Sequence, residues 1–260
     1  MSRLRGKLAL ITGASRGLGR QLAIDFACEG VAGLALVARN AVALSGVRES
    51  ILAGRPDVNI VCIEADLTRE ADIERAVATT LVAFRGRLDV LVNNAAILGP
   101  TPLPYLLDYP LEDFRAVLET NLIAPFVLIQ RLLPAMTEHG GSIINVSSDA
   151  GVVGYAGWGA YGISKFGIEG LSRTWAAELA GSKVRLNIVD PGSMNTDMYR
   201  ASDPSADPDE LTDPADVTEI FVHLASDASR HVHGERFLAQ ELDPDHDTEG
   251  VSSSEAEGNR

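Results

Sequence analysis

The chain has 260 residues, of which 46% are apolar, and its formal net charge is −14. This length fits one large α/β domain or two small ones with a substantial core. A chain without a basic excess is poorly suited to replace the counterions of nucleic-acid phosphates, and the same acidity disfavours docking on an anionic membrane. No stretch reaches the roughly 20 apolar residues of a membrane span. We therefore expect a soluble, cytoplasmic protein with no nucleic-acid or membrane partner.

Short apolar runs alternate along the chain with longer amphipathic runs, which is the pattern of βαβ units and a parallel sheet. The expected strands are Leu8–Thr12, Gly33–Val37, Val58–Ala65, Leu88–Asn93, Ser142–Ser147 and Val184–Asp190, with a shorter seventh near Arg236–Ala239. The expected helices are Leu18–Glu29, Ala41–Leu52, Arg69–Phe84, Leu111–Met136, Ala160–Ala180 and Ala215–Ser226. Strands that are almost continuously apolar are buried on both faces. The pattern predicts one α/β domain over residues 1–240, with a seven-stranded, mostly parallel, doubly wound sheet and helices on both faces.

Some segments interrupt this regular pattern. The longest predicted helix, Leu111–Met136, contains Pro125, so we expect a kink or an irregular turn there. The segment Ala201–Pro214 is rich in Asp, Pro and Ser, which predicts a mobile loop. Residues 241–260 are strongly acidic and predict a disordered, solubilising tail.

A glycine-rich turn, Thr12-Gly-Ala-Ser-Arg-Gly-Leu-Gly19, joins the first strand to the first helix. Glycines let the backbone turn tightly and approach an anion closely. The helix that follows points its free N–H groups and the positive end of its dipole at that anion. Glycines also occur at such joints only because the chain must reverse direction. The turn therefore favours a site for a dinucleotide phosphate, but a plain turn remains the alternative.

The end of the second strand predicts which dinucleotide binds. A site for NAD usually places an acid there, which accepts hydrogen bonds from the ribose 2′-hydroxyl. Here Ala38 occupies that point, Arg39 follows it, and Arg16 lies inside the glycine turn. Two guanidiniums without an acid suit a 2′-phosphate. The alternative is two solvated surface arginines, but their shared location favours NADP(H) over NAD(H).

The segment Tyr161-Gly-Ile-Ser-Lys165 places a phenol and an ammonium on one face of a helix. A free tyrosine has a pKa near ~10, and a fixed positive charge brings the pKa of a phenol toward the working range. Ser148 follows the apolar run Ile143–Val146, at the carboxyl edge of a strand where parallel sheets bind ligands. The alternatives are an exposed helical pair and a serine that caps a turn.

These motifs, in this order, resemble those of the short-chain dehydrogenase/reductase family from Leu4 to about Gln240. Ala65-Asp-Leu67, Asn93-Asn-Ala-Ala96, and Asp190-Pro-Gly192 with Thr196 match further family segments, except that Ala96 replaces a glycine. The resemblance implies a single-domain Rossmann fold and hydride transfer between a nicotinamide cofactor and a small-molecule carbonyl or alcohol.

The resemblance also implies roles for individual residues. Tyr161 exchanges a proton with the substrate oxygen, Ser148 polarises that oxygen, Lys165 holds the nicotinamide ribose, and Asn121 completes a water relay. The residues implied for cofactor binding are Gly13, Ser15, Arg16, Gly17, Leu18, Gly19, Arg39, Asp66, Leu67, Asn93, Asn94, Ala95, Tyr161, Lys165, Pro191, Gly192, Met194 and Thr196. No metal is expected.

Two departures from the family pattern bear on function. Asp197–Pro214 is short where many relatives have a longer helical lid, which implies an open pocket. Phe237–Glu241 stands where relatives often carry an interface segment, so we expect a homodimer through the helices Leu111–Met136 and Ala160–Ala180, with a homotetramer as the alternative.

Some alternatives stay open at this point. Tyr155 and Trp158 are equally suited to line the substrate pocket or to pack in the core. His231 and His233 lack a third ligand and predict a surface pair, and Cys28 and Cys62 predict buried, reduced thiols. The alternative function is a catalytically silent dinucleotide-binding regulatory or scaffold protein, but such proteins typically lose the tyrosine or the lysine that this chain keeps.

Overall fold

The structure, a computed structural model, describes residues 2–241. The strands are β1 (Leu8–Thr12), β2 (Gly33–Ala38), β3 (Asn59–Glu64), β4 (Val90–Asn93), β5 (Gly141–Val146), β6 (Val184–Asp190) and β7 (Arg236–Leu238). They form one sheet in the order β3-β2-β1-β4-β5-β6-β7, and every neighbouring pair is parallel. The predicted sheet is therefore confirmed, including its short seventh strand. Except for Glu241, the expected acidic tail lies outside the described residues.

The helices are α1 (Gly17–Cys28), α2 (Ala41–Gly54), α3 (Glu70–Ala83), α4 (Leu111–Leu118), α5 (Ala124–Thr137), α6 (Gly159–Leu179), α7 (Asp197–Ser202) and α8 (Glu219–Ala225). Successive strand residues point to opposite faces of the sheet. On one face Ile11 and Val92 pack against α1, α2 and α8, and on the other Leu10 and Leu91 pack against α3, α5 and α6. This alternation is what makes the domain doubly wound.

The long predicted helix is continuous but irregular. A π-helical turn, Glu119–Ile123, separates α4 from α5, and Pro125, which has no N–H to donate to the preceding turn, is the second residue of α5. The expected irregularity is therefore confirmed, immediately before the proline. Among residues 2–241, the stretch Leu111–Thr137 is the one helix whose length and apolar composition would let it cross a membrane. Buried residues of α5, such as Leu128 and Leu132, pack in the core of the sheet.

The segment after β6 is more ordered than the sequence predicts. The expected loop Ala201–Pro214 contains the end of α7 and a 3-10 turn, and the predicted helix Ala215–Ser226 divides into a 3-10 turn and α8. Asp207 and Asp213 each accept a hydrogen bond from a backbone N–H two residues ahead, and a proline follows each of them. Asp-Pro pairs therefore start short turns here, because the carboxylate caps them and proline presets the backbone.

Candidate active site

The carboxyl ends of the strands open onto one cleft of about 1280 Å³. Its walls come from the glycine turn after β1, from the ends of the strands that follow, and from α7. Every residue that the sequence places in the site lines this cleft, with the exceptions of Asn93 and Asn121. The parallel topology alone brings these distant segments to one edge.

The glycine turn leaves no room for side chains at two of its positions. A Cβ on Gly13, which has a φ of +68°, would lie 2.8 Å from the Asn94 amide nitrogen. A Cβ on Gly19 would lie 2.4 Å from the carbonyl oxygen of Gly13. Helix α1 begins at Gly17, and no side chain caps its first N–H groups. The turn therefore presents bare backbone and the positive end of a helix to the cleft.

Hydrogen bonds between Thr12 and Asn94 join the ends of β1 and β4. The Thr12 hydroxyl oxygen accepts from the N–H groups of Asn94 and Ala95, both at 3.0 Å. The Asn94 side chain donates to the Thr12 carbonyl at 2.8 Å. This junction holds the glycine turn against the β4 end that carries the next part of the cleft.

Asn93 does not line the cleft. Its side chain is 5% exposed and donates to the Asn145 side chain at 2.8 Å, inside the sheet and away from the cleft. Asn94, the first residue after β4, is the one whose side chain reaches the glycine turn.

At the far end of the cleft lie the two arginines that predict the cofactor. Arg39 is exposed at the end of β2, and Arg16 is exposed in the glycine turn, where its guanidinium lies 3.4 Å from the Asp197 carboxylate of α7. Asp66 is half-buried and its carboxylate accepts the N–H and the hydroxyl of Thr68. Among the cleft-lining residues here, Asn40, which caps α2, was not expected from the sequence.

Ser148, Tyr161 and Lys165 converge at the opposite end of the cleft. Tyr161 and Lys165 lie one turn apart on α6 and are 8% and 3% exposed. The Lys165 ammonium donates to the Val146 carbonyl at 2.8 Å and lies 5.4 Å from the centroid of the Tyr161 ring. Ser148 follows β5, and its hydroxyl donates to the Asp149 carboxylate at 2.8 Å.

Burial dominates the electrostatics of this centre. It raises the pKa of the Tyr161 phenol above its ordinary value, where the carboxylates of Asp190 and Asp149 add to the rise and the Ser148 hydroxyl opposes it. Burial lowers the pKa of Lys165 to about 8, against the opposing carboxylates of Asp190 and Glu169. The expectation that the ammonium brings the phenol pKa toward neutrality is therefore not met here, because desolvation of the buried phenol has the larger effect.

Asn121 lies in the π-helical turn, and its side chain makes three hydrogen bonds within the protein. Its oxygen accepts from the Ile97 N–H at 2.9 Å, while its nitrogen donates to the Ile97 carbonyl and to the Ser164 hydroxyl. These bonds connect the segment after β4 to α6, next to the turn that carries Lys165. Both N–H groups of the side chain are used in these bonds, so the expected water relay would have to use the side-chain oxygen or the backbone of Asn121.

Tyr155 and Trp158, whose roles the sequence leaves open, have different positions in the structure. Trp158 lines the cleft, and its ring centroid lies 5.5 Å from that of Tyr161. Tyr155 is exposed, does not line the cleft, and donates to the Asp149 carboxylate at 3.0 Å. Leu98 and Met198 complete the apolar surface beside Tyr161. Trp158 therefore both packs and lines the cleft, whereas Tyr155 orients Asp149.

The segment after β6 is held by contacts that the sequence did not reveal. The Asp190 carboxylate accepts from the Gly192 N–H at 2.9 Å. The Gln240 side chain donates to the carbonyls of Pro191 and Ser193 at 3.0 and 3.1 Å. Thr196 caps α7 through its hydroxyl. No local sequence pattern pairs Gln240 with Pro191, so only the fold identifies it.

The structure also gives the surroundings of His233 and of the two cysteines. His233 is engaged by backbone, since Nδ1 accepts from the Leu186 N–H and Nε2 lies 2.8 Å from the Ala176 carbonyl oxygen. Within residues 2–241, no group of three or more His, Cys, Asp or Glu side chains is arranged to hold a metal ion. Cys28 is exposed and Cys62 is half-buried, so the expectation of two buried thiols is wrong for Cys28, which lies at the last position of α1.

A doubly wound sheet with a glycine cradle and a buried Tyr-Lys pair at one edge defines a dinucleotide-dependent oxidoreductase. The short chain dehydrogenase family matches residues 7–207. The chain is 35% identical over 244 residues to the 3-oxoacyl-[acyl-carrier-protein] reductase FabG of Thermotoga maritima, covering 90% of this chain and 96% of that one. It is 34% identical over 241 residues to the uncharacterized oxidoreductase YciK of Escherichia coli, covering 91% and 93%.

Solved structures agree with these similarities. A short chain dehydrogenase from Escherichia coli, solved in complex with NADPH, superposes with a TM-score of 0.85 at 31% identity, over 92% of this chain and 99% of that one. A structure from Pseudomonas syringae superposes equally well at 35% identity, over 92% and 96%. This chain therefore belongs to the short-chain dehydrogenase family, and it is an NAD(P)-dependent oxidoreductase that acts on carbonyl and alcohol groups.

The glycine cradle yields a first prediction. Gly19→Ala should weaken dinucleotide binding by at least about tenfold, because its methyl group would force the Gly13 carbonyl and the Asn94 amide apart. Gly46→Ala, in α2, is the matched control because a Cβ there meets nothing within 4 Å. Titration of protein fluorescence with NADPH measures both variants. Wild-type affinity in Gly19→Ala would contradict the assignment of the turn.

Proposed function

We propose that this protein interconverts a carbonyl group and the corresponding alcohol of a small, uncharged molecule, with NADP(H) preferred over NAD(H). The observation that carries the proposal is the convergence of Ser148, Tyr161 and Lys165 in the cleft above the glycine turn. The same convergence argues against the silent dinucleotide-binding alternative, which has no use for a buried phenol beside a buried ammonium. The acidity of the chain supports the expectation of no nucleic-acid or membrane partner, and the similarity to bacterial reductases supports a cytoplasmic location.

The residues of the cleft fit a dinucleotide. Gly13 and Gly19 provide a cradle that a Cβ would fill, and the uncapped start of α1 suits its pyrophosphate. Arg16 and Arg39 provide cations for a 2′-phosphate, and no acid follows Ala38 to bind a free 2′-hydroxyl. The complex of a similar Escherichia coli enzyme with NADPH supports the same preference.

The chain's own groups divide the proton chemistry between them. When bound, the cofactor supplies a hydride to the carbonyl carbon. Tyr161 gives its proton to the carbonyl oxygen, and the raised pKa of its phenol keeps that proton available at neutral pH. The Ser148 hydroxyl donates a hydrogen bond to the same oxygen. Lys165, with a pKa of about 8, keeps a positive charge beside the developing phenolate at neutral pH.

The surface beside Tyr161 favours apolar, uncharged substrates. Leu98, Trp158 and Met198 provide apolar contacts, whereas the Asp149 carboxylate next to Ser148 repels anions. Because the Ser148 hydroxyl donates to Asp149 in this structure, it must rotate toward the substrate oxygen before it can act in catalysis.

Tyr161→Phe tests the catalytic assignment. It removes one oxygen and should lower the rate of NADPH oxidation by about 10²- to 10⁴-fold, because it removes the proton donor. The assay is loss of absorbance by NADPH against a panel of ketones, aldehydes and quinones that includes cyclohexanone, benzaldehyde and menadione. The dissociation constant of NADPH should change much less than the rate, because most of the cofactor contacts remain. Undiminished turnover in the variant would remove Tyr161 from its role.

Arg39→Ala tests the cofactor preference. The dissociation constant of NADPH should rise by about 10- to 100-fold, because a charge-assisted contact to the 2′-phosphate is lost, while that of NADH should hardly change. Arg5→Ala is the control, since Arg5 is exposed and precedes the opposite end of β1. Tighter binding of NADH than of NADPH by the wild type would refute the preference outright.

We also propose a homodimer through α4–α5 and α6. Ile123, Phe126, Ile163 and Phe166 are between 37% and 47% exposed, and the two helical segments pack side by side. Apolar side chains grouped in this way are typical of an interface between subunits.

Phe126→Glu should convert the dimer to a monomer, because a charge would be buried at the interface. Val82→Glu, on the exposed side of α3, should leave the mass unchanged. Light scattering measures both masses, and a wild-type mass of one chain would defeat the proposal.

A further inference from the structure

Beneath the active site lies a network of charged side chains, which includes two buried carboxylates and which the proposed reaction does not use. Arg236 of β7 donates from Nε to the Glu169 carboxylate at 2.9 Å and from Nη2 to the Asp190 carboxylate at 2.8 Å. The two carboxylate side chains are 2% and 6% exposed. Arg173 contacts the other oxygen of Glu169 at 3.0 Å, but its own side chain is 60% exposed. The Arg236 side chain is 20% exposed, so Arg236 is the more internal of the two cations.

Each contact of Arg236 leads to a different part of the active site. Its Nη2 lies 3.4 Å from the carbonyl oxygen of Ser148. The second oxygen of Asp190 accepts from the Gly192 N–H, at the segment beside the proposed nicotinamide position. Glu169 lies one helical turn beyond Lys165 on α6. One guanidinium thus connects the ends of β5, β6 and β7 with the helix that carries the phenol and the ammonium.

The network also determines the charge that faces Lys165. Asp190 of β6 and Glu169 of α6 both act on Lys165 and favour its ammonium form. From β5 the facing group is the Val146 carbonyl, and from α6 it is also the Tyr161 ring. Arg236 of β7 pairs with both carboxylates, so it offsets the negative charge that would otherwise act on the ammonium.

Such a network is a poor means of stabilising a fold. The free energy lost when charged groups are removed from water offsets much of the free energy gained from their mutual attraction. Apolar side chains of similar volume often stabilise a fold as well or better. The position of Arg236, in contact with the Ser148 backbone and with the two carboxylates that face Lys165, favours a role in the reaction.

We propose that Arg236 is a positioning residue, which fixes the strand ends that carry Ser148 and Asp190 and balances the two carboxylates that face Lys165. The proposal rests on the proposed function, because positioning has a purpose only if Ser148 and Lys165 take part in turnover. Arg236 itself has no direct contact with the substrate.

The kinetic test compares variants of two arginines that share one carboxylate. Arg236→Met should lower kcat by about 10- to 100-fold with the best carbonyl compound of the panel, because Ser148 loses its fixed position. The KM for NADPH should change much less than kcat, because the glycine turn and Arg39, which would hold the phosphates, are remote from the change. Arg173→Met, which removes the exposed partner of Glu169, should keep wild-type kcat. Equal losses in both variants, or none in Arg236→Met, would overturn the proposal.

A second measurement needs no turnover. The chain has three lysines, Lys7, Lys165 and Lys183, so the side-chain signals of lysine-labelled protein can be followed by NMR through a pH titration, with Lys165→Met for assignment. In wild type the Lys165 ammonium should titrate near pH 8. In Arg236→Met its pKa should rise, because two carboxylates lose their internal cation. An unchanged titration would contradict the charge-balancing role.

Two further variants separate positioning from charge and from failure to fold. Arg236→Lys keeps the charge but loses the planar fork, so it should retain the wild-type titration of Lys165 while kcat stays low. Arg236→Met with Glu169→Gln removes one uncompensated carboxylate and should return the titration toward wild type in a folded protein.

If Tyr161→Phe turns over like wild type, the proposed function fails, yet the NMR titrations still report on Arg236. If the wild type is active, Tyr161→Phe is inactive and Arg236→Met has a low kcat, the results support both the proposed function and the positioning role of Arg236.

Discussion

The junction between Thr12 and Asn94 is the constraint on which the site depends. It bonds the end of β1 to the end of β4, and the glycine turn can follow its tight path only because Asn94 packs against Gly13 and Gly19 without any intervening Cβ. The cofactor cradle lies on one side of this junction. On the other side β4 leads to Ile97, whose backbone pairs with Asn121 and so with α6. The cofactor half and the catalytic half of the cleft are therefore positioned from one central contact.

Charge in the catalytic half follows from burial. A phenol and an ammonium that lie side by side in water would interact weakly, but here both are removed from solvent, and desolvation opposes the charged form of each. The phenol stays protonated and the pKa of Lys165 falls to about 8. Asp190 and Glu169 counteract the fall, and Arg236 in turn pairs with these two acids. A chain of charged neighbours thus links the centre to the last strand of the sheet.

Most of the fold could be predicted from hydrophobic periodicity. Strands β1 and β6 begin and end where the sequence predicts, because their apolar runs are bounded by clear changes in composition. The segment after β6 could not be predicted as well, since Asp-Pro pairs indicate loops and short capped turns alike. For the site residues, a motif names two adjacent asparagines, but only the fold shows that the Asn93 side chain bonds to Asn145 while the Asn94 side chain bonds to Thr12. Asn121, another expected site residue, does not line the cleft. Its side chain instead joins the segment after β4 to α6.

The sequence by itself determined the order of the elements, the parallel sheet, the glycine turn and the Tyr-Lys pair, because each depends on spacing within a short segment. Only the tertiary structure decided what lies beside that pair. Arg236 meets Glu169 and Asp190 from positions 67 and 46 residues away, and Gln240 meets Pro191 from 49. Contacts at such separations leave no periodic pattern in a single chain, since they arise from the order in which parallel strands assemble. The same assembly excludes water from Lys165, and that exclusion, which no local motif encodes, determines its pKa.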